Sequence, residues 1–259
     1  MIKYIFRSFS FLLLNVICIS ATAQKEIYEI QTYLLKSENQ MQATDQYLKN
    51  AYLPALHRMG FRHIGVFKPI ANDTAAIKKI YVLITYPALD NWRKTKITLQ
   101  RDKQFTEAAK PFAEADTSNL PFVRMESVIL EAFPDQPKLI PPAIKVNSET
   151  LYELRSYESP TEKLHYKKVN MFNEGGEVGL FKRLGFNAVI YADVLSGSHL
   201  PNLMYMIVFE NSSSREAHWK AFGNDPEWKK LTANPVYESA ISVSHIDSIL
   251  MHSTDYSDL

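Results

Sequence analysis

The sequence predicts an α+β fold made of two tandem ferredoxin-like βαββαβ domains. Three observations predict it. Five short blocks recur in one order, each copy carries the same succession of strand and helix patterns, and a proline-rich stretch separates the copies. The blocks pair Ile27–Tyr33 with Leu151–Tyr157, Arg58–Phe61 with Arg183–Phe186, and Ile80–Ile84 with Met204–Val208. Trp92 pairs with Trp219, and Glu126–Leu130 with Asp247–Met251. The spacing between partners drifts only from 121 to 127 residues, which chance does not produce.

The composition of residues 1–23 predicts a signal peptide. Lys3 and Arg7 form a basic start, Phe9 to Ile19 an apolar stretch too short to span a bilayer, and Ala21-Thr22-Ala23 a small-residue cleavage site. Cys18 follows Ile17, where a lipidated cysteine would need a small residue before it, so cleavage after Ala23 is favoured. The expected location is outside the cytoplasm, periplasmic or secreted. Cleavage removes the only cysteine, so no disulfide is expected, and it carries the net charge from +1 to −1. A near-neutral chain without a basic cluster excludes nucleic acid as the main partner, and no later segment is apolar enough for a membrane span.

The first domain is expected over residues 24–133. Residues 26–35 alternate as a strand, and 39–59 follow helical spacing until Gly60. Residues 61–69 and 78–86 read as strands, 88–110 as a helix and 121–133 as a closing strand. Pro134, Pro137, Pro141 and Pro142 make residues 134–149 a stiff extended linker. The second domain, residues 150–252, repeats the order with strand 150–157, helix 160–184, strands 186–195 and 203–210, helix 213–231 and strand 239–252. Ser159 is the expected N-cap, with Pro160 at the first helical position and Glu162 closing a capping box. Gly175-Gly176 and, in the first copy, Pro54 are expected to bend or break the first helix of each copy. The polar tail 253–259 is expected to fray.

The phrases YELRSYESPTEK, MFNEGGEVGLFKRLGF and PNLMYMIVFEN, within residues 152–211, resemble the NIPSNAP family closely, and residues 26–133 resemble a diverged copy of the same domain. The resemblance implies the dimeric α/β-barrel superfamily, in which two ferredoxin-like sheets pack face to face. It therefore implies either a homo-oligomer or an intramolecular pseudo-dimer. The superfamily includes monooxygenases and haem-degrading enzymes, but a fold alone transfers no activity.

The candidate ligand-binding residues lie in the second copy. Glu153, Arg155 and Tyr157 share one face of a strand, where a Glu–Arg pair could hold a carboxylate or simply satisfy itself; the first copy has Glu29 and Gln31 there. Lys168, Asn173 and Glu177 lie on or beside the broken helix, whose glycines allow either a ligand approach or only a bend. Met171, Phe172, Tyr191, Met204 and Trp219 are candidate walls of an apolar cavity, or core. No histidine pair has metal-ligand spacing, and no catalytic serine or cysteine motif or dinucleotide fingerprint is present. His218-Trp219 resembles the pair used by haem-degrading relatives, yet the first copy has Asn91-Trp92, so haem is disfavoured and no cofactor is expected. Two readings follow: a binding or assembly module, or a cofactor-independent monooxygenase-like enzyme acting on a small molecule in the second domain.

Overall fold

The computed structural model describes residues 24–237 and 243–259; the expected signal peptide lies outside the described residues. The first half runs β1 (Ile27–Leu35), α1 (Glu38–Tyr47), a π-helical turn (Leu48–Tyr52), α2 (Leu53–Arg58), β2 (Gly65–Pro69), β3 (Lys78–Tyr86), α3 (Leu89–Arg101), α4 (Lys103–Ala113) and β4 (Arg124–Ala132). The second runs β5 (Leu151–Glu158), α5 (Glu162–Phe172), α6 (Glu177–Arg183), β6 (Asn187–Ser196), β7 (Asn202–Phe209), α7 (Ser212–Asn224), α8 (Pro226–Thr232) and β8 (His245–Ser253).

The eight strands close into one antiparallel barrel in the order β1-β3-β2-β8-β5-β7-β6-β4. Each half supplies four neighbouring strands. The seams are β2 against β8, through Phe67–Pro69, and β4 against β6, through Ile129–Ala132 with one irregularity in register. Closure leaves none of these eight strands as a free sheet edge. Alternation then sorts the side chains. Tyr28, Ile30, Phe67, Leu83, Leu130, Tyr152, Leu154, Met206, Val208 and Met251 fill the barrel interior as one apolar cluster spanning both halves. Ile27, Tyr33, Ile80, Val82 and Ile84 face outward under the helices of the first half, and Tyr205, Ile207 and Phe209 under those of the second. Each fully buried large side chain contributes about 2 kcal/mol.

The helix boundaries differ from the sequence reading, each for a local reason. α5 begins after Thr161, whose Oγ1 accepts a hydrogen bond from the Leu164 amide at 3.3 Å, so Thr161 and not Ser159 is the N-cap. Ser159 instead donates its amide to the Pro201 carbonyl. The break at Gly175-Gly176 separates α5 from α6, and Gly176 takes the left-handed φ of 84° that a side chain disfavours. In the first half, Pro54 at the start of α2 lacks the N–H that would continue the ladder, and the chain widens into the π turn just before it. The two long helices expected at 88–110 and 213–231 are each split. Asp102 and Asp225 take extended backbone and cap the helices that follow, with Pro226 opening α8.

The tail expected to fray is docked. Thr254 and Asp258 donate their amides to the carbonyls of Val66 and Ile64, the Ile64 amide donates to the Asp258 carboxylate at 2.9 Å, and Leu259 is buried in the interior cluster. Polarity misled here because the tail satisfies backbone groups of β2 while burying only its last residue. The linker has no helix or strand, but Gln136 donates to the carbonyls of Ala188 and Val189, and Leu139 and Ile144 pack on the interior cluster.

Candidate functional site

Glu153 is the centre of the densest polar network. It is 0% exposed, because β5 is buried on both faces: the interior on one side, helices on the other. Arg215 grips it in two-point fashion, Nε and an Nη each donating at 2.8 Å, and Arg155 donates at 2.9 Å. The indole of Trp219, one helical turn beyond Arg215 on α7, donates at 2.9 Å, and Ser248 on β8 donates at 2.6 Å. Burial alone would push this carboxyl up. Hydrogen bonds from Arg215, Ser248 and Trp219, with the charge of Arg155, outweigh it and hold the pKa below the ordinary value. The first half has a sparser version: Glu29 accepts from Ser127 at 2.7 Å, Tyr86 at 2.9 Å and Lys96 at 3.2 Å. Each carboxylate ties a helix to its sheet.

Beside this network, the Arg155 guanidinium lies 4.6 Å from the Trp219 ring centre and 5.5 Å from that of Tyr157, whose hydroxyl bonds the Tyr205 hydroxyl at 2.9 Å. Lys168 and Glu177 form a salt bridge of 3.1 Å with both side chains only 3% exposed. The ammonium also meets the Met171 sulfur at 3.5 Å and stands 4.8 Å from the Phe172 ring, 5.6 Å from Tyr157 and 5.8 Å from Trp228. Burial raises the Glu177 pKa, and Lys168 only partly opposes it. Tyr191 packs on Phe133, Phe172 and Phe181, and burial raises its phenol well above the ordinary value.

Glu153, Arg155, Tyr157, Lys168, Met171, Phe172, Glu177, Tyr191 and Trp219 thus gather between the second half's sheet and its helices, with the charged groups paired to one another. Asn173 and Met204 stand apart. Asn173 closes the end of α5, its amide nitrogen donating to the Val169 carbonyl at 2.8 Å. Met204 packs on the interior cluster, across the sheet. His218 is packed against Phe186 and Phe209 and bonded to the Ser214 carbonyl, while Trp219 spends its N–H on Glu153, so this pair does not fit a haem. Sequence reasoning missed Arg215, Ser248 and Tyr205. Arg215 precedes Trp219 by four residues, and Ser248 is the counterpart of Ser127, so helical spacing and the repeat carried both.

An aromatic-walled space lies in the first half. A cavity of about 530 Å³ sits between β1 and helices α1 and α4, walled by Tyr33, Tyr47, Phe105, Phe112, Phe122 and Met125. Tyr47 and Phe112 stack at 4.0 Å between ring centres, and Phe122 stacks on Phe112 at 5.4 Å. Tyr33 meets both phenylalanines edge-on, at 6.2 and 5.8 Å. Burial raises the phenol pKa of Tyr33, Tyr47 and Tyr52, so all three stay neutral hydroxyls. Gln31, at the position Arg155 holds in the second half, donates to the Tyr52 hydroxyl at 3.0 Å. Its buried carbonyl oxygen has no hydrogen-bond partner among the described residues. The arrangement can hold a flat apolar molecule; it contains no paired nucleophile and base.

These features define a closed eight-stranded α/β barrel with helices over its outer faces, one face locked by buried ion pairs and one left hollow. The NIPSNAP family profile matches residues 152–258, which span the second half of the chain. No curated protein matches the chain in sequence. Among solved structures, a candidate monooxygenase from Lactobacillus acidophilus NCFM superposes with a TM-score of 0.58 at 12% identity, covering 88% of this chain and 94% of that one. A second candidate monooxygenase, from Fusobacterium nucleatum, gives 0.58 at 7% identity, covering 89% and 93%. An anthrone oxidase-like protein gives 0.53 at 9% identity, covering 90% and 93%. At such identities the likeness is one of fold.

Proposed function

We propose that this protein binds a small, flat aromatic molecule in the cavity of its first half. One observation carries the reading. The space between sheet and helices is filled in the second half by the Lys168–Glu177 pair and its rings, whereas in the first half it is an aromatic-walled hollow of about 530 Å³. Ring faces offer stacking, and the neutral tyrosine hydroxyls near it suit a phenol or quinol better than an anion. The test is titration with 2-naphthol, followed by calorimetry, for wild type and Ala109→Phe, which adds a ring at a buried wall position. Saturable binding to wild type, lost in the variant while its Tm is unchanged, supports the proposal. Equal binding by both places the ligand elsewhere and rejects it.

A catalytic form of this reading draws on the fold neighbours named as candidate monooxygenases, which span almost the whole chain. Oxygen uptake with a quinol substrate, abolished in Ala109→Phe, would establish it; no uptake leaves binding alone. We also infer that the two halves descend from one duplicated ferredoxin-like unit, supported by the shared order of elements and the paired carboxylates Glu29 and Glu153. Export through residues 1–23 rests on their composition, and N-terminal sequencing of the protein from its host tests it, with Gln24 as the expected first residue.

A further inference from the structure

At one end of the barrel two imidazoles and two carboxylates converge. Glu158 ends β5 and His245 begins β8, and the two are directly paired across the ladder. Asp247, two residues on, shares the face of His245. One ligand atom from each of Glu158, His245 and Asp247 lies within 4.8 Å of the other two. His199, from the hairpin between β6 and β7, brings Nδ1 to 3.1 Å from a Glu158 oxygen, and His245 Nε2 is 3.1 Å from Asp247. The parity of Leu154 and Met251 puts Glu158, His245 and Asp247 on the interior face of the sheet, at its rim.

A second observation points to the same place. Asn202 stands opposite Glu158 in the β5–β7 ladder and is 1% exposed. Its amide oxygen accepts from Ser156 at 3.0 Å, and its amide nitrogen has no partner among the described residues. A buried orphan amide beside a cluster of ligand atoms is the setting for a further bound group, such as a metal-held water.

We propose that Glu158, His199, His245 and Asp247 form a binding site for a divalent transition metal ion of the zinc type, clasping the β6–β7 hairpin to the start of β8. The donor set decides the class. Two imidazoles with two carboxylates favour zinc and its neighbours, while calcium and magnesium prefer all-oxygen sites. Ligand atoms on one zinc ion lie roughly 3–4 Å apart, given bonds of about 2.0–2.2 Å. The side chains of His199, His245 and Asp247 are more than half exposed, at 65%, 57% and 56%, and can rotate to close the cluster onto the ion.

The experiment is calorimetric titration of the metal-free chain, residues 24–259, with Zn²⁺ and separately with Ca²⁺, for wild type, His199→Asn and His245→Asn. Asparagine suits the left-handed backbone of His199, φ 64°, so that variant keeps its fold. His63→Asn, at the other left-handed histidine, is the control. One Zn²⁺ per chain is expected, weakened about tenfold or more in each rim variant and unchanged in the control, with Ca²⁺ bound far more weakly. Zn²⁺ at 100 times its Kd should raise the Tm by about 5–10 °C, reversed by EDTA. No Zn²⁺ binding, or binding equal in wild type and both rim variants, overturns the site. Ca²⁺ binding as tight as Zn²⁺ overturns its class.

Discussion

Replacing Glu153 by glutamine probes the anchor of the second half. The carboxylate accepts five hydrogen bonds from Arg155, Arg215, Trp219 and Ser248. An amide keeps the shape but removes the charge and turns one accepting end into a donor, which then faces donors. Two half-buried guanidiniums are left without their counter-charge. Removing one partner of such a buried network costs about 3–5 kcal/mol. For a domain of this size each kcal/mol lowers the Tm by about 2–4 °C, so a drop of roughly 10 °C is expected. Urea and thermal denaturation at pH 7 measure it. The pH dependence carries the same information. The folded pKa of Glu153 lies below its unfolded value of about 4.3. Its stabilisation is therefore fully present above that unfolded value and is lost as pH falls through the folded pKa. The gap between wild type and Glu153→Gln should be widest at neutral pH and shrink in acid. A loss below about 1 kcal/mol at pH 7, or a gap that does not depend on pH, refutes the network's role.

Glu29→Gln, which removes only three partners, should cost less than Glu153→Gln in the same denaturation series. Lys168→Met should destabilise by about 3–5 kcal/mol because it strands the Glu177 carboxylate, whereas Lys168→Met with Glu177→Leu should restore most of that loss. Since the folded pKa of Glu177 is raised, the single variant should lose stability as pH rises from about 4 towards 7, a trend urea titration would reveal and the double variant should lack. Thr161→Ala should cost about 1 kcal/mol through loss of the α5 cap, read from the shift in urea midpoint. Deleting residues 254–259 should lower stability by about 2–4 kcal/mol, because β2 loses its bonds to Thr254 and Asp258 and the interior loses Leu259; an unchanged midpoint would mean that the tail contributes nothing.

The sequence by itself determined the order of strands and helices, the family likeness of the second half and the placing of Glu153 and Arg155 on one strand face. Those rest on local periodicity, short phrases and a two-residue spacing on one strand. It also marked Pro54 and Gly175-Gly176 as breaks, because proline and glycine act on the backbone wherever they stand. Tertiary structure decided the rest. The alternation on β1 and β5 does not say what covers each face, and only packing shows that both are covered and that Glu29 and Glu153 must be satisfied from elsewhere. Arg215 and Ser248, which complete the Glu153 network, stand 62 and 95 residues away from it. The hollow of the first half was invisible because Tyr33, Tyr47, Phe105, Phe112 and Phe122 read as ordinary core; whether rings fill a space or wall one depends on how far apart two helices and a sheet are held. The docked tail is a product of closure, and the four groups at the barrel rim a product of ladder register, which brings together residues that chain distance keeps apart.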